Sequence, residues 1–457
     1  MNGRMVAYLY GLLARLHGHQ LKIEKKLFRY HKGSERRIYL YDVTSSYFEG
    51  DKNELAAYGY NRDGKKGKKQ LCVGLLITED GFPLRIQAFK GNTPDSVTVA
   101  GQLHALKKEF GVEQLVFVGD RGIQIMYCLD NDPDLKEQDI DFITGLTHAQ
   151  IGTLIVQGDI ELNLFKRDLA EVQVDASTSL SNHGMRYILS VNPELEAKEL
   201  SFLNNSRDRA EALVENIRRS WRKRCDRNAE NRRRQEENAQ KYKRLKTELT
   251  DKNTDRYKYR INRALDECGM GKYYSIETVD GETFDVIFRQ DEFDKSLSLC
   301  GKYVICSNVS KEDMTAEQVR GKNKNLQKVE HAFRDLKSDS ISLRPVFLRR
   351  EQQTRGHVLL CMFAYSIIKE MENRLFPFLK KYNISTWFGL AHQPSLNNRR
   401  TQGAQLSLND LTAELDNIKI CELKIGTGTV SLMKPELNPL QKSILEALNI
   451  DPNKLMK

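Results

Sequence analysis

Between Asn325 and Leu336 (NLQKVEHAFRDL) apolar positions recur every three or four residues. Leu326, Val329, Phe333 and Leu336 form one stripe, which predicts an amphipathic helix. Glu330, Arg334 and Lys337 stand one residue after the last three, at i, i+4 and i+7. A shift of one residue is about 100° of helix rotation, so an acid and two bases stack along the flank of the buried face. A solvated surface with i,i+4 ion pairs gives the same spacing, and each such pair stabilises by only about 0.2–0.5 kcal/mol. The stripe takes its meaning from the rest of the chain.

In chain order, residues 4 to 28 place apolar positions among Arg, Lys and His at helical spacing, a lead-in helix. Arg37 to Phe48 (RIYLYDVTSSYF) is rich in β-branched and aromatic residues and predicts a strand with Asp42 in its middle, an acid that is costly there unless paired. A Gly-punctuated loop, YGYNRDGKKGKKQ, clusters Arg62, Lys65, Lys66, Lys68 and Lys69. Strands are expected over Leu71 to Thr78 and Leu84 to Lys90 around the turn EDGFP, then a helix over Asp95 to Phe110 capped by Thr93 or Asp95. LVFVGDRG is a continuous apolar strand that ends on Asp120, and ligands of open α/β sheets gather at such carboxyl ends. A short helix and the strand Asp141 to Leu146 follow. Hairpins and right-handed crossovers in this order build a mixed sheet with helices on its faces.

From about residue 152 the pattern is less regular, with strand candidates at LIVQG, AEVQVD and MRYILSV. Glu194 to Asp255 is nearly unbroken charged helix with sparse anchors at Leu213, Ile217 and Trp221. Strands return at TFDVIF and KYVICSN. After the striped helix come LRPVF and a buried apolar helix, His357 to Lys369, which His357 heads as a satisfied core or capping residue. The tail beyond Ser395 holds a weak strand pair and an amphipathic helix, Pro439 to Leu448.

The formal charge of +10 suggests a polyanionic partner. The excess is local: Arg207 to Arg260 holds about 19 Lys and Arg against about 10 Asp and Glu, which fits either a solvated helical hairpin or nucleic-acid contact. Eight cysteines without a C-x-x-C pair argue against a disulfide framework or a zinc ribbon and suit a reducing cytosol. No membrane span, export signal, internal repeat or Gly-rich phosphate loop is read.

Asp42, Asp120 and Glu330 can meet at one edge, because the first and fourth strands are neighbours in this order of elements. Carboxylates with open positions suit Mg²⁺ or Mn²⁺ and phosphoryl transfer. With YDVTSSYFEG around Asp42, GYNRDGKK, GNTPDS, VGDRGI around Asp120, VEHAFRDLKS, LRPVFLRR and RGHVLLCMFAYSII, the chain resembles the DDE transposases of bacterial insertion sequences, in the insertion-sequence-four superfamily with its Tyr/Arg/Glu/Lys signature. The resemblance implies an α/β, RNase H-like mixed sheet with flanking helices, interrupted by an α+β insertion between the fourth-strand Asp and the Glu helix. It implies that Asp42, Asp120 and Glu330 are the catalytic metal ligands, with Mg²⁺ as cofactor and Mn²⁺ as a possible substitute. Lys337 and Arg334 would hold phosphates, with Lys328, Lys324, Arg62, Lys65 and Lys66 as further DNA contacts. The partner would be double-stranded DNA, both terminal inverted repeats and target, bound by a homodimer on paired ends, in the bacterial cytoplasm with the nucleoid.

The expected organisation is a helical lead-in (1–34), the first part of the catalytic core (35–151), an insertion with a basic helical region (152–290), the second part of the core (291–395) and a tail (396–457). Counted back from Glu330, the signature's Arg and Tyr positions hold Leu326 and Asn323. Few residues precede Asp42, where relatives usually carry an end-binding domain, so the chain is either truncated or recognises its ends otherwise. The rival reading is a catalytically inactive or domesticated DNA-binding remnant.

Overall fold

The computed structural model describes residues 3–455 except 32–36, 51, 61, 66, 121–124, 137, 139, 167, 175–183, 238–250, 281–282, 340, 345, 382–412, 420, 426–428 and 434. The chain divides into two compact units. One comprises Met1–Thr147, Glu171–Ile188 and Ile305–Lys457; the other comprises His148–Ala170 and Leu189–Val304.

The larger unit is organised on an eight-stranded sheet. Its strands are β1 (Arg37–Tyr47), β2 (Gln70–Thr78), β3 (Pro83–Lys90), β4 (Leu115–Gly119), β5 (Ile140–Gly145), β6 (Ala170–Val174), β7 (Met185–Val191) and, after the hairpin strands β8 (Tyr274–Asp280) and β9 (Thr283–Phe288), β10 (Lys302–Ser307). The order across the sheet is β3-β2-β1-β4-β5-β10-β7-β6. β1 pairs antiparallel with β2 and parallel with β4, β4 pairs parallel with β5, and β5 pairs antiparallel with β10. This is an RNase H-like mixed sheet. Its central strands read as unbroken apolar runs because both faces are covered: every residue of β4 is buried, as is all of β2 except Thr78.

The covering elements are helices. α1 (Gly3–Gly18) and α2 (Gln20–Tyr30) form the lead-in, α3 (Asp95–His104) is the crossover from β3 towards β4, and α4 (Ile125–Asn131) and α5 (Pro133–Lys136) join β4 to β5. The striped helix follows α10 (Ala316–Lys324) as α11 (Gln327–Leu336), and α12 (Glu351–Lys381) packs on α1, α11 and β3. Leu375 of α12 is buried with Ile444 and Leu448 of the carboxyl-terminal helix Pro439–Ala447 and its cap. The weak strand pair of the tail forms as Cys421–Ile425 with Thr429–Met433.

The smaller unit packs α7 (Pro193–Glu237) with α8 (Asp251–Glu267), the β8–β9 hairpin and α9 (Gln290–Ser298). The expected anchors of the charged helix work as such: Trp221 is buried against Tyr257 (ring centroids 4.8 Å apart) and Phe284 (5.7 Å), with Leu213 and Ile217 packed on the same cluster.

Several expectations need correction. LIVQG is not a strand but the end of α6 (His148–Gln157). Ile151 and Leu154 are its buried pair at i, i+3 while Val156 is exposed, so the β-branched run alone misled about its period. β6 and β7, which fall within the stretch 152–290, join the large sheet, and the second unit comprises His148–Ala170 and Leu189–Val304. The N-cap of α3 is Pro94, whose side chain has no acceptor to offer, and Asp95, the first residue of the helix, accepts from Arg62. His357 does not head its helix, which begins at Glu351; it is a half-buried residue whose pKa burial pushes down. Among the described residues, no helix is long and apolar enough to cross a membrane.

Candidate active site

The register of two strands sets the site. β1 and β4 run parallel with Tyr41 opposite Gly119. Asp42 and Asp120 are the next residue on each. Parallel neighbours in register lie about 4.8 Å apart and present their side chains to the same face. Two carboxylates therefore stand side by side where β4 ends. The Val43 N–H donates to Asp42 Oδ1 at 2.7 Å, and Thr144 Oγ1 donates to the Asp120 carbonyl at 3.3 Å.

α11 lies against β1 and β2. Val329, Ala332, Phe333 and Leu336 are buried, and this fixes the rotation of the helix. Glu330, Arg334 and Lys337 consequently line the same cavity as Asp42 and Asp120, with a volume of about 440 Å³.

The loop between β1 and β2 contributes Arg62 and Asp63 to this cavity. Its path depends on Gly91, where a Cβ would stand 1.9 Å from the Gln70 carbonyl oxygen and 2.7 Å from that of Ala57. The Gln70 amide donates to the Tyr60 carbonyl at 2.8 Å and to the Gly91 carbonyl at 2.9 Å. So held, the loop inserts Asp63, whose side chain is 2% exposed. Asp63 Oδ2 accepts from the Tyr47 N–H at 3.1 Å, and Oδ1 accepts from Lys337 Nζ at 2.9 Å and from Arg344 at 2.7 Å. Lys337 Nζ also donates to Thr44 Oγ1 at 2.7 Å. Arg62 donates its backbone N–H to Ser45 Oγ at 2.9 Å and its guanidinium to Asp95 at 2.5 Å.

Burial pushes the Asp42 carboxyl up to about 7, with the Val43 N–H opposing the rise and the neighbouring Asp120 charge adding to it; Arg62 lowers it and Asp95 raises it by smaller amounts. Burial also lowers the Lys337 pKa, against the opposing pull of Asp63. The acidic half of the cavity thus carries uncompensated negative charge on hard oxygen donors, the environment that a divalent cation relieves. Among the described residues, however, no group of three His, Cys, Asp or Glu side chains is gathered tightly enough to hold a metal ion. Asp42, Asp120 and Glu330, which line one cavity, fit such an ion in charge and donor type.

Of the residues singled out from sequence, Asp42, Asp120, Glu330, Arg334, Lys337 and Arg62 come together around one cavity. Lys324, Lys328 and Lys65 do not line it. Lys328 Nζ is bonded to the Glu79 carbonyl at 2.6 Å, and Lys65 lies over the Tyr47 ring, 5.7 Å from its centroid. Lys66 lies outside the described residues. Sequence reading missed Asp63, Asp95 and Arg344. Each sits in a quoted motif, and each is a residue type common in loops, so their place at the cavity had no local signal.

A family model described as a transposase DDE domain matches residues 33–367, a span that contains every residue lining the cavity. No curated protein matches the chain.

Proposed function

Because the chain belongs to the transposase DDE domain family, we propose that it hydrolyses a phosphodiester at each end of a mobile DNA element and joins the freed 3′ hydroxyl to target DNA in line at the same site. The observation that carries this reading is the meeting, in one cavity, of acids contributed by β1, β4 and α11, with Arg334 and Lys337 on the same helix face as the third acid. Asp42, Asp120 and Glu330 would hold magnesium, or manganese in its place. The bound metal supplies activation of the attacking oxygen and neutralisation of charge at the leaving one.

The chain's own groups account for the rest. The parallel register of β1 and β4 preorganises two of the three carboxylates before DNA arrives. Arg334, exposed at the cavity wall, offers a planar fork to phosphate oxygens. The reading needs no covalent protein intermediate, since the bound metal would do the activating. The substrates are the terminal repeats and target of double-stranded DNA, and two protomers on paired ends would bring both reactive ends to one target.

A second reading, a DNA-binding remnant without catalysis, draws on Leu326 and Asn323 at the signature's Arg and Tyr positions and on the absence of a closed three-acid group among the described residues. One assay separates the two. A plasmid carrying the gene with its genomic flanks is incubated with Mg²⁺ and wild type, Asp120→Ala or Glu330→Gln. The proposal expects cleaved and strand-transferred products from wild type alone, with each variant down by at least about a hundredfold. Equal activity in all three would reject the site, and no product from any of them would favour the remnant.

A further inference from the structure

Asp63 is a buried anion that answers two cations. Its Oδ2 is taken by the Tyr47 N–H, while Lys337 and Arg344 share Oδ1 at 2.9 and 2.7 Å. A staple between the loop and α11 needs only one of those cations. The second, Arg344, shares the same carboxylate oxygen and lines the cavity with Lys337.

The two cations differ in exposure. The Lys337 side chain is 12% exposed and that of Arg344 is 35% exposed, and both line the cavity. Among the described residues Arg344 donates through one guanidinium nitrogen, which leaves most of a five-donor fork for a planar or tetrahedral oxyanion. Lys337 spends two of its three protons, on Asp63 and on Thr44.

Thr44 fixes where this pair lies. It is two residues from Asp42 on β1, hence on the same face and about 6.6 Å further along the strand. That offset matches the spacing of neighbouring phosphates along one DNA strand.

We propose that Asp63 mounts Lys337 and Arg344 as a two-cation seat for a DNA phosphate next to the scissile one, Asp63 acting as the positioning residue and Arg344 as a phosphate ligand. The inference rests on the transposase reading above and deepens it by placing a second phosphate-binding group outside the acidic triad.

The test separates binding from chemistry. Binding of a short duplex of arbitrary sequence is titrated with salt in EDTA for wild type, Arg344→Ala, Arg344→Gln and Arg344→Lys. The seat predicts that the slope of log K against log salt falls by about 0.9 in the Ala and Gln variants and is kept in the Lys variant, since each neutralised phosphate releases roughly that many counterions. Asp63→Asn, which keeps the hydrogen-bonding shape and removes the charge, should hold or gain duplex affinity. Its plasmid cleavage at saturating DNA should fall by at least about tenfold, because the cations are no longer aimed. An unchanged slope in both neutral Arg344 variants, with wild-type melting midpoints, overturns the seat. So does an Asp63→Asn protein that loses affinity, cleavage and melting midpoint together, which is what a mere staple would do. If the slopes change as expected while wild type leaves the plasmid uncut, the seat stands and the transposase reading falls.

Discussion

Asp42→Asn should make the protein more stable and inactive. The carboxyl of Asp42 is pushed from its ordinary value near 3.8 up to about 7, chiefly by burial and then by the charge of Asp120. The folded state therefore binds this proton more tightly than the unfolded chain does. Stability attributable to the group falls as pH rises from about 4 to about 7, and the full penalty is present above that window. At about 1.4 kcal/mol per unit the ceiling is about 4 kcal/mol. Asp42 opens on a solvated cleft, so about 1–2 kcal/mol is the expected net gain when asparagine replaces it. Asparagine still accepts the Val43 N–H, so the backbone at this position is undisturbed. Thermal melts in EDTA at pH 8 should place the variant about 1–2 °C higher for each kcal/mol. The difference should vanish near pH 4, where the wild-type carboxyl pays no burial penalty because it is protonated in the folded state. Added Mg²⁺ should close the gap from the other side by stabilising wild type alone. A variant no more stable than wild type at pH 8, or a difference of the same size at pH 4 and pH 8, would refute the account of strain at this carboxylate.

Two further outcomes are expected. Gly356 lets α12 approach α1 so closely that a Cβ there would stand 2.0 Å from the Leu13 carbonyl oxygen. Gly356→Ala should force the two helices apart at a cost of about 1–3 kcal/mol, read as a lower melting midpoint with DNA binding retained; an unchanged midpoint would mean that the two helices pack slackly here. On α7, Arg219, Lys223 and Arg227 are exposed. If this face binds DNA, changing all three to Gln should reduce the salt slope of duplex binding by up to about 0.9 for each phosphate that is no longer neutralised. An unchanged slope would assign the charge run to solvation.

Much of the fold was legible because its strands announce themselves in two different ways. β2 and β4 are apolar without interruption, as strands covered on both faces must be, whereas β1 carries polar residues among its tyrosines because one stretch of it faces the cavity. Helix periodicity found α11, α12 and the anchors of α7. It failed at α6, where Leu154, Ile155 and Val156 look like a strand until Ile151 is counted with them. It also could not say that β6 and β7 join the large sheet, since pairing between segments distant in sequence leaves no mark on either one.

The same division explains the site. Asp42, Asp120 and Glu330 were legible because each breaks a pattern: an acid within a strand, an acid at a strand's end, an acid one step off an apolar stripe. Asp63 breaks none. In NRDGKK it reads as a turn former next to a glycine, and the lysines around it draw the eye as the purpose of the loop. Its importance arises only when Gly91 and Gln70 fold the loop back so that a carboxylate from residue 63 meets cations from residues 337 and 344. A reader of sequence assigns Lys337 directly to DNA. In the folded protein that lysine already has an anionic partner, Asp63, which it shares with Arg344. Sequence patterns therefore reveal groups that oppose their local element, while groups that oppose nothing locally, and are ordered only by long-range packing, become visible once the chain is folded.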